Sequence, residues 1–201
     1  MKPPCVILAG GRSSRMGGGD KCLLPLMGEP MLAHVLERML PQCSDILINS
    51  NSEPELFSRF GIAVAADLTD GFQGPLAGLL TGLRWARARG ASQVVSVACD
   101  TPFLPDDLVL RLSDALTVQD AQIAIATDDE YSHPVIGLWP ITLTDRLETD
   151  LRGGTRAIYR WLSAFRVVEV RFAARHFQNI NTPADLQAAG GARDEMRVVS
   201  H

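Results

Sequence analysis

A glycine-rich loop near the amino terminus carries the residues with the clearest chemical potential. It runs from Leu8 to Lys21 as LAGGRSSRMGGGDK and follows a short apolar stretch typical of a buried strand. Gly10 and Gly11 permit close approach of the backbone to a ligand, because no side chain stands in the way. Successive N–H groups in such a turn form a concave site for an anion. The loop therefore predicts a phosphate-binding site.

The basic side chains of this loop strengthen the prediction. Arg12, Arg15 and Lys21 stand against the single acid Asp20, in a chain whose formal net charge is −4. Arginine offers paired hydrogen bonds to phosphate oxygens, and lysine offers a compact charge. Neither a Walker A loop nor the dinucleotide fingerprint G-x-G-x-x-G fits the spacing of these residues. We therefore expect a triphosphate site of another type; the alternative is a surface loop with solvated charges.

Asp100 is the candidate metal ligand. It follows a predicted strand and precedes Thr101 and Pro102, which stiffen the turn after it. A carboxylate at a strand end that faces a triphosphate is the expected ligand of Mg²⁺. The alternative is a turn aspartate, which is common beside proline.

Two polar residues are candidates for reading the base. Asn49 and Asp67 end the second and third predicted strands. A carboxylate accepts hydrogen bonds, and an amide both donates and accepts them, so either group can bind the polar edge of a nucleotide base. Both residues also suit turns at strand ends, and the sequence leaves open which of them contacts the base.

Hydrophobic periodicity and turn residues predict the elements that position these groups. We expect strands over 5–9, 45–49, 62–66, 93–98, 123–127, 135–139 and 166–170. We expect helices over 30–40, 54–60, from Gly74-Pro75 to Gly90, and over 105–116, 155–164 and 183–189. Such alternation is typical of an α/β protein with a parallel or mixed sheet covered on both faces. Since ligands bind at the carboxyl ends of such strands, residues 10–21, 49–51, 67 and 100 should share one crevice.

Length and composition restrict the class of protein. The 201 residues are 46% hydrophobic and 21% charged, as in a globular α/β domain. We predict one domain over residues 1–190 and a loosely ordered tail over residues 191–201. The acidic balance disfavours a nucleic-acid partner, which would require an excess of Lys and Arg.

The cysteines and apolar stretches indicate a compartment. The wide spacing of the cysteines disfavours zinc binding or a disulfide scaffold and suits a reducing compartment: they are Cys5, Cys22, Cys43 and Cys99. No stretch approaches the ~20 apolar residues of a membrane span, and the first residues do not form a signal peptide. We therefore expect a cytoplasmic protein without a membrane partner.

Several motifs together resemble one family. The loop L-A-G-G-x-S-x-R-M-G-G-x-D-K is similar to the signature loop of the molybdenum cofactor guanylyltransferases, which make molybdopterin guanine dinucleotide. The similarity continues through 74–78 (GPLAG), 99–103 (CDTPF) and 179–183 (NINTP), so it spans nearly the whole chain. The first loop marks the wider nucleotidyltransferase family, and the later motifs favour the guanylyl branch.

The resemblance implies a Rossmann-like three-layer sandwich, with a mostly parallel sheet and helices on both faces. It implies Mg²⁺-dependent transfer of GMP from GTP to the phosphate of molybdenum-molybdopterin, with pyrophosphate as the other product. The implied GTP-binding residues are Leu8, Ala9, Gly10, Gly11, Lys21, Asn49, Asp67 and Asp100, of which Asp100 also binds the metal. Lys21, Arg15 and the Mg²⁺ on Asp100 would neutralise charge on the α-phosphoryl and leaving groups.

The acceptor half of the implied site is less sharply defined. Asn179 and Asn181 alternate, so in an extended segment they face the same side, and the resemblance assigns them to molybdopterin. Their alternative is an Asx turn before Pro183. Gly74 and Gly78 flank a helix start where N–H groups can meet a phosphate; their alternative is close helix packing.

Three further segments are weaker candidates. His133 is either part of the acceptor pocket or a surface histidine. The acidic run 128–130 is expected to be a solvated turn rather than a second metal site. Residues 153–156 (GGTR) are a candidate for the acceptor phosphate. Because the implied cofactor is unstable, other cofactor-biosynthesis proteins or molybdoenzyme chaperones are expected as partners, although no residue indicates them.

Rival functions stay open at this point. The shared loop would equally serve transfer of CMP or another nucleotide to molybdopterin or to another phosphorylated acceptor. A noncatalytic nucleotide-binding or carrier protein is disfavoured by an intact Lys21 and Asp100. A sugar transferase is disfavoured because the fourth strand is followed by Asp-Thr-Pro instead of Asp-x-Asp.

Overall fold

The computed structural model describes residues 2–10, 20–68, 74–182 and 184–185. The predictions for Gly11, Arg12 and Arg15, for most of the helix over 183–189 and for the tail over 191–201 lie outside these ranges. The strands are β1 Cys5–Leu8, β2 Pro25–Leu26, β3 Glu29–Pro30, β4 Ile46–Asn49, β5 Ala63–Ala65, β6 Gln93–Ala98, β7 Ile123–Thr127, β8 Ser132–Pro140 and β9 Val167–Arg171. The α-helices are α1 Met31–Met39, α2 Pro75–Ala88, α3 Leu108–Val118, α4 Thr144–Arg152 and α5 Ile158–Leu162, and short 3-10 helices cover Lys21–Leu23, Pro54–Phe60, Ile141–Leu143 and Ala174–His176.

Seven strands of the described ranges form one sheet, in the order β5-β4-β1-β6-β8-β7-β9. The first four are parallel neighbours, β8 runs antiparallel between β6 and β7, and β9 is parallel to β7. The sheet is therefore mostly parallel, as predicted. The chain passes from β1 to β4 and β5 on one side and returns to β6 on the other. At such a reversal, α/β sheets bind ligands beyond the carboxyl ends of the strands.

Helices cover both faces of this sheet. Alternate side chains of β1 point to opposite faces, so Cys5 and Ile7 pack into a core with α1 and α3. Val6, between them, packs into a second core with α2, α4 and α5. These two cores confirm the three-layer sandwich.

The sequence missed helix α4, the hairpin of β2 and β3 and the 3-10 helices Lys21–Leu23, Ile141–Leu143 and Ala174–His176, and it misplaced the ends of other elements. Helix α4 escaped prediction because its buried face is marked mainly by Leu147 and Leu151, in an otherwise polar segment. Ion pairs four residues apart, such as Arg146–Asp150, support such a polar helix. The two-residue hairpin of β2 and β3 is too short to give a pattern.

Three elements begin three residues away from their predicted starts. The helix predicted from residue 105 begins at Leu108, after Asp107, whose side chain makes no capping hydrogen bond. The strand predicted over 135–139 extends over Ser132–Pro140. The helix predicted over 155–164 is confined to Ile158–Leu162.

Candidate active site

One cleft lies at the carboxyl ends of β1, β4, β5 and β6. The predicted nucleotide, metal and molybdopterin residues that the structure describes all line it: Leu8, Ala9, Gly10, Lys21, Asn49, Asp67, Gly74, Gly78, Asp100, Asn179 and Asn181. The crevice expected from strand order is therefore present. The contacts of these residues with ligands stay predictions.

Lys21 joins the two halves of the cleft. Its Nζ donates to Asp100 Oδ2 at 2.7 Å, and the two side chains are only 15% and 26% exposed. The same Nζ also donates to Asn181 Oδ1. Lys21 lies at the end of the glycine-rich loop, Asp100 follows β6, and Asn181 comes from the carboxyl-terminal part of the chain. One ammonium group thus contacts the predicted metal ligand and the predicted acceptor segment.

The segment around Asn181 is anchored to Asp100 through its backbone. Ile180 N donates to Asp100 O at 2.9 Å, and the Ile180 side chain is buried against Leu26 and Met31. Because Ile180 points into this core, Asn179 and Asn181 on either side of it line the cleft. Their same-side placement agrees with the alternation seen in the sequence.

A turn fixes the far end of this segment. The Asp185 carboxylate accepts from the N–H groups of Asn181 and Thr182, both at 2.8 Å, and Asp185 N donates to Thr182 Oγ1 at 3.2 Å. These hydrogen bonds, first that from the Asn181 N–H, lower the pKa of Asp185. The carboxylate therefore stays ionised and holds the backbone of Asn181 in place.

The predicted base-reading residues form one network. Asn49 Nδ2 donates to Asp67 Oδ1 at 3.1 Å and to the carbonyl of Ala65 at 3.2 Å. Asn51 Nδ2 donates to the other Asp67 oxygen at 2.9 Å, and Asp67 N donates back to Asn51 Oδ1 at 2.8 Å. Asn49 is buried, whereas Asp67 is only partly covered. Asp67 is therefore the better placed of the two predicted residues to meet a ligand, and Asn49 and Asn51 hold it.

Helix α2 approaches this network at glycines. Gly74 has φ 98°, a conformation that side chains disfavour, and it precedes Pro75 at the first helical position. A Cβ placed on Gly78 would lie 2.1 Å from Asn49 Oδ1 and 2.8 Å from Leu8 Cδ2. Gly78 is therefore required for close packing of α2 on the strand ends, which is the alternative that its position in the sequence left open.

Replacing Gly78 with alanine should displace Asn49 and Leu8, which both line the cleft. Because Asn49 and Leu8 must move to admit the methyl group, we expect the free energy of unfolding to fall by about 1–3 kcal/mol. Displacement of Asn49 would also loosen Asp67. Urea denaturation and nucleotide titration measure the two effects. Gly153→Ala is the matched control, since a Cβ there would lie no closer than 3.4 Å to Asp150 O.

The polar turn before β8 differs from its prediction. Asp128 is buried rather than solvated, with a side chain that is 7% exposed. Its Oδ1 accepts from the N–H groups of Glu130 and Tyr131 at 2.8 and 2.7 Å, and its Oδ2 lies 2.9 Å from His133 Nε2. Burial alone would raise the pKa of Asp128, but these hydrogen bonds outweigh burial and lower it. His133 lies in β8 and lines the cleft.

Asp128→Asn gives a prediction for stability against pH. The folded protein lowers the pKa of Asp128 below 3.8, its usual value. Its carboxylate therefore stabilises the fold above that pH, and this contribution disappears as the pH falls through the lowered pKa. We expect Asp128→Asn to cost about 1–3 kcal/mol near neutral pH. Urea denaturation from pH 7 to pH 3 should show that the difference in the free energy of unfolding between the wild-type protein and the variant narrows only below about pH 4. A difference that does not change with pH would contradict the assignment.

The donor set suits a metal that binds together with phosphate. No group of three or more His, Cys, Asp or Glu side chains in the described residues is arranged to hold a metal ion by itself. Mg²⁺ typically takes one or two carboxylates together with substrate phosphates and water. Asp100 fits this requirement: Lys21 contacts only its Oδ2, and Oδ1 has no hydrogen-bond partner among the described residues.

Two thiols beside this pair are unsuited to nucleophilic chemistry. Cys22 and Cys99 adjoin Lys21 and Asp100 in sequence, and both are buried. A hydrogen bond with Cys22, followed by burial, raises the pKa of Cys99 well above its usual value. The thiol therefore stays protonated, and a thiolate is the reactive form.

Some cleft residues gave little signal in the sequence. Ser52 Oγ donates to Asp20 Oδ1 and so links the end of the glycine-rich loop to the segment after β4. Tyr159 lines the cleft and donates to Ser132 O at 2.7 Å.

Residues 153–156 are not among the described residues that line the cleft, and Arg156 donates to the carbonyls of Leu151 and Thr155. None of the helices in the described ranges is long and apolar enough to cross a membrane.

Comparison with known proteins places this geometry in a family. The sequence profile of the MobA-like NTP transferase domain matches residues 5–168. This chain belongs to the MobA-like NTP transferase family. It is therefore a nucleotidyltransferase, as the resemblance of its motifs implied.

Individual members of the family agree over nearly the whole chain. The molybdenum cofactor guanylyltransferase of Bradyrhizobium sp. (strain ORS 278) is 41% identical over 196 residues, which cover 92% of this chain and 91% of that protein. The protein of that name from Yersinia pseudotuberculosis serotype O:1b is 44% identical over 182 residues, or 90% and 91% of the two chains.

Two solved structures share the fold. The molybdopterin-guanine dinucleotide biosynthesis protein A of Archaeoglobus fulgidus superposes with a TM-score of 0.77 at 26% identity, covering 96% of this chain and all 100% of that one. The CMP:2-keto-3-deoxy-manno-octonic acid synthetase in complex with CTP reaches the same TM-score of 0.77 at 15% identity, over 98% and 100% of the two chains. The second likeness concerns the fold alone.

Proposed function

We propose that this chain transfers GMP from GTP to the phosphate of molybdenum-molybdopterin, giving molybdopterin guanine dinucleotide cofactor and pyrophosphate. Support comes from the names of relatives that are 41% and 44% identical to it over about nine tenths of the chain. The structural observation that carries the proposal is the double contact of Lys21 with Asp100 and Asn181. It joins the implied nucleotide half and the implied acceptor half at one point.

The nucleotide lies with its phosphates over the glycine-rich loop and its base toward Asp67. Leu8, Ala9 and Gly10 form the floor beneath it, and Gly11 and Arg15 belong to the same loop. The Asp67 carboxylate accepts from the N–H groups of guanine, a pattern that cytosine and uracil do not offer. This assignment makes the Asn49–Asp67–Asn51 network the source of preference for GTP.

Asp100 would hold Mg²⁺ in this proposal, through the carboxylate oxygen that Lys21 does not contact. The bound ion supplies charge neutralisation on the phosphate groups. Lys21 then places its ammonium against the α-phosphoryl group and remains within reach of Asn181. The residues of the chain contribute alignment and charge, which are the main components of phosphoryl-transfer catalysis.

The acceptor lies against Asn179 and Asn181, with Gly74 and Gly78 at the helix start opposite. Its terminal phosphate is already anionic near neutral pH, so an oxygen of that phosphate can attack the α-phosphorus as pyrophosphate leaves. No protein base is required for this step.

The four free thiols of the chain suit a reducing compartment such as the cytoplasm. Other cofactor-biosynthesis proteins or molybdoenzyme chaperones are the partners that would deliver or receive the cofactor.

Pyrophosphate release tests the proposal. Purified protein is mixed with Mg²⁺, molybdenum-molybdopterin and one of GTP, CTP, ATP or UTP, and both pyrophosphate and the dinucleotide product are measured. We expect product with GTP that depends on the acceptor and disappears on chelation of the metal. Product mainly with CTP would move the chain to cytidylyl transfer, and nucleotide binding without turnover would indicate a carrier.

A further inference from the structure

His133 is held in the wall of the cleft by two contacts. Its Nε2 lies 2.9 Å from Asp128 Oδ2, and its ring packs against Phe177 with 4.5 Å between ring centroids. The side chain is 16% exposed, so part of it meets the cleft that it lines. An imidazole held in this way has already lost the rotamer freedom that a ligand would otherwise have to restrict.

The hydrogen bonds of Asp128 decide which ring nitrogen is available. Asp128 accepts two backbone N–H groups on one oxygen, and these contacts together with His133 lower its pKa. An ionised carboxylate can only accept hydrogen bonds. His133 Nε2 must therefore carry the hydrogen, and Nδ1 is the nitrogen left for a ligand. Nδ1 has no hydrogen-bond partner among the described residues.

An irregularity in the sheet brings His133 to this place. On β7, Ala126 pairs with His133, whereas the adjacent Ile125 pairs with Gly137. Residues 134–136 therefore have no partners on β7, and such bulges redirect side chains beside active sites. On the other side, β6 pairs Ser96 with Gly137 in antiparallel register. His133 lies four residues beyond that pair on β8 and lines the cleft.

Positive charge is scarce on this wall. Among the described residues that line the cleft, Lys21 is the one permanent cation, and it already contacts Asp100 and Asn181. The remaining charged residues of the lining are Asp20, Asp67 and Asp100. An anionic acceptor that enters along β8 therefore meets no permanent cation other than Lys21 among the described residues, and His133 is the imidazole on this wall that can form a hydrogen bond with its phosphate.

We propose that His133 Nδ1 binds the attacking phosphate of the acceptor and orients it toward the α-phosphorus; this inference rests on the proposed function. A phosphomonoester loses its second proton with a pKa of about 6. In the tautomer that Asp128 fixes, Nδ1 accepts a hydrogen bond from the P–OH group of the singly protonated phosphate. Asp128 acts as a positioning residue, because it fixes the tautomer and the plane of the ring.

Two conservative substitutions separate this role from a structural one. In His133→Asn, the amide occupies the place of Nδ1 and the contact with Asp128 is lost. In His133→Gln, the amide reaches the place of Nε2 and nothing replaces Nδ1. We expect His133→Gln to lower kcat/KM for the acceptor by roughly 10- to 100-fold, and His133→Asn by less. Calorimetry should show GTP affinity changed by no more than about twofold in both variants.

One variant serves as the control, and three outcomes would contradict the proposal. His176→Gln changes a histidine that bonds to Phe103 O outside the cleft and should leave acceptor kinetics unaltered. A greater loss in His133→Asn than in His133→Gln would show that the Asp128 contact matters and would overturn the proposal. So would equal losses of acceptor and GTP binding, or no loss at all.

A measurement on the unaltered protein covers the case in which the variants do not fold or turnover is absent. The ¹⁵N signals of the His133 ring are followed while molybdopterin is added without GTP. A shift confined to Nδ1 supports the inference, and an unchanged Nδ1 overturns it. Absence of GMP transfer by the wild-type protein counts against the proposed function, and this titration still decides the role of His133.

Discussion

Asp100→Asn is expected to abolish GMP transfer while leaving the protein folded. The substitution keeps the size of the side chain and an oxygen for Lys21, but it removes the charge that would hold Mg²⁺. A metal ion contributes several kcal/mol by neutralising charge on a transferring phosphoryl group, and this corresponds to about a thousandfold in rate. Stability should change by no more than about 1 kcal/mol, because the Lys21–Asp100 pair is partly exposed.

Steady-state pyrophosphate release, with Mg²⁺ and then Mn²⁺, checks this expectation. Asp106→Asn is the matched control, since Asp106 follows the same strand and pairs with Arg38 at 2.6 Å on the exposed surface. It should retain wild-type kinetics. Full activity in Asp100→Asn would remove this residue from the catalytic machinery and would leave the cleft without its metal ligand.

The sequence predicted the cleft well because strand ends converge. Gly10, Asn49, Asp67 and Asp100 each follow a short apolar strand, and in a parallel sheet the residues after such strands meet at one edge. Asn181 could not be joined to them in this way, because its position depends on the burial of Ile180 and not on a strand end. Only the resemblance to a known family brought it to the site.

The surroundings of His133 are a feature that sequence patterns could not predict. The run Asp128, Asp129 and Glu130 has the composition of a solvated turn, yet the Asp128 carboxylate is buried and satisfied by two N–H groups and an imidazole. A bulge in β8 brings His133 into the cleft. Bulges and long-range hydrogen bonds depend on pairing between distant strands, so neither leaves a local pattern. Gly78 was ambiguous for the same reason, since its neighbour Asn49 comes from another element.

Lys21→Met is expected to weaken the reaction toward both substrates at once. Methionine keeps the length of the side chain but removes the ammonium group, which contacts Asp100 and Asn181. We expect kcat/KM to fall by about 100- to 1,000-fold for GTP, because one preorganised charge on a phosphoryl group is lost, and acceptor KM to rise as well. Lys21→Arg should restore only part of the activity, since the planar guanidinium cannot satisfy both partners with the same geometry.

The chain contains a matched control for Lys21. It contains two lysines, Lys2 and Lys21; Lys2 is exposed, donates to Pro41 O and is not among the described residues that line the cleft. Lys2→Met should therefore leave both kinetic constants unchanged. Acetylation by an amine reagent, read by mass spectrometry, should modify Lys2 equally with and without GTP and Mg²⁺, while these ligands protect Lys21. Equal labelling of Lys21 in both conditions would contradict its contact with the phosphates.

Because Lys21 contacts Asp100, the double variant Lys21→Met with Asp100→Asn should lose less activity than the product of the two single losses. Independent losses would mean that the two residues act in separate steps, and the single point that joins nucleotide and acceptor would not exist.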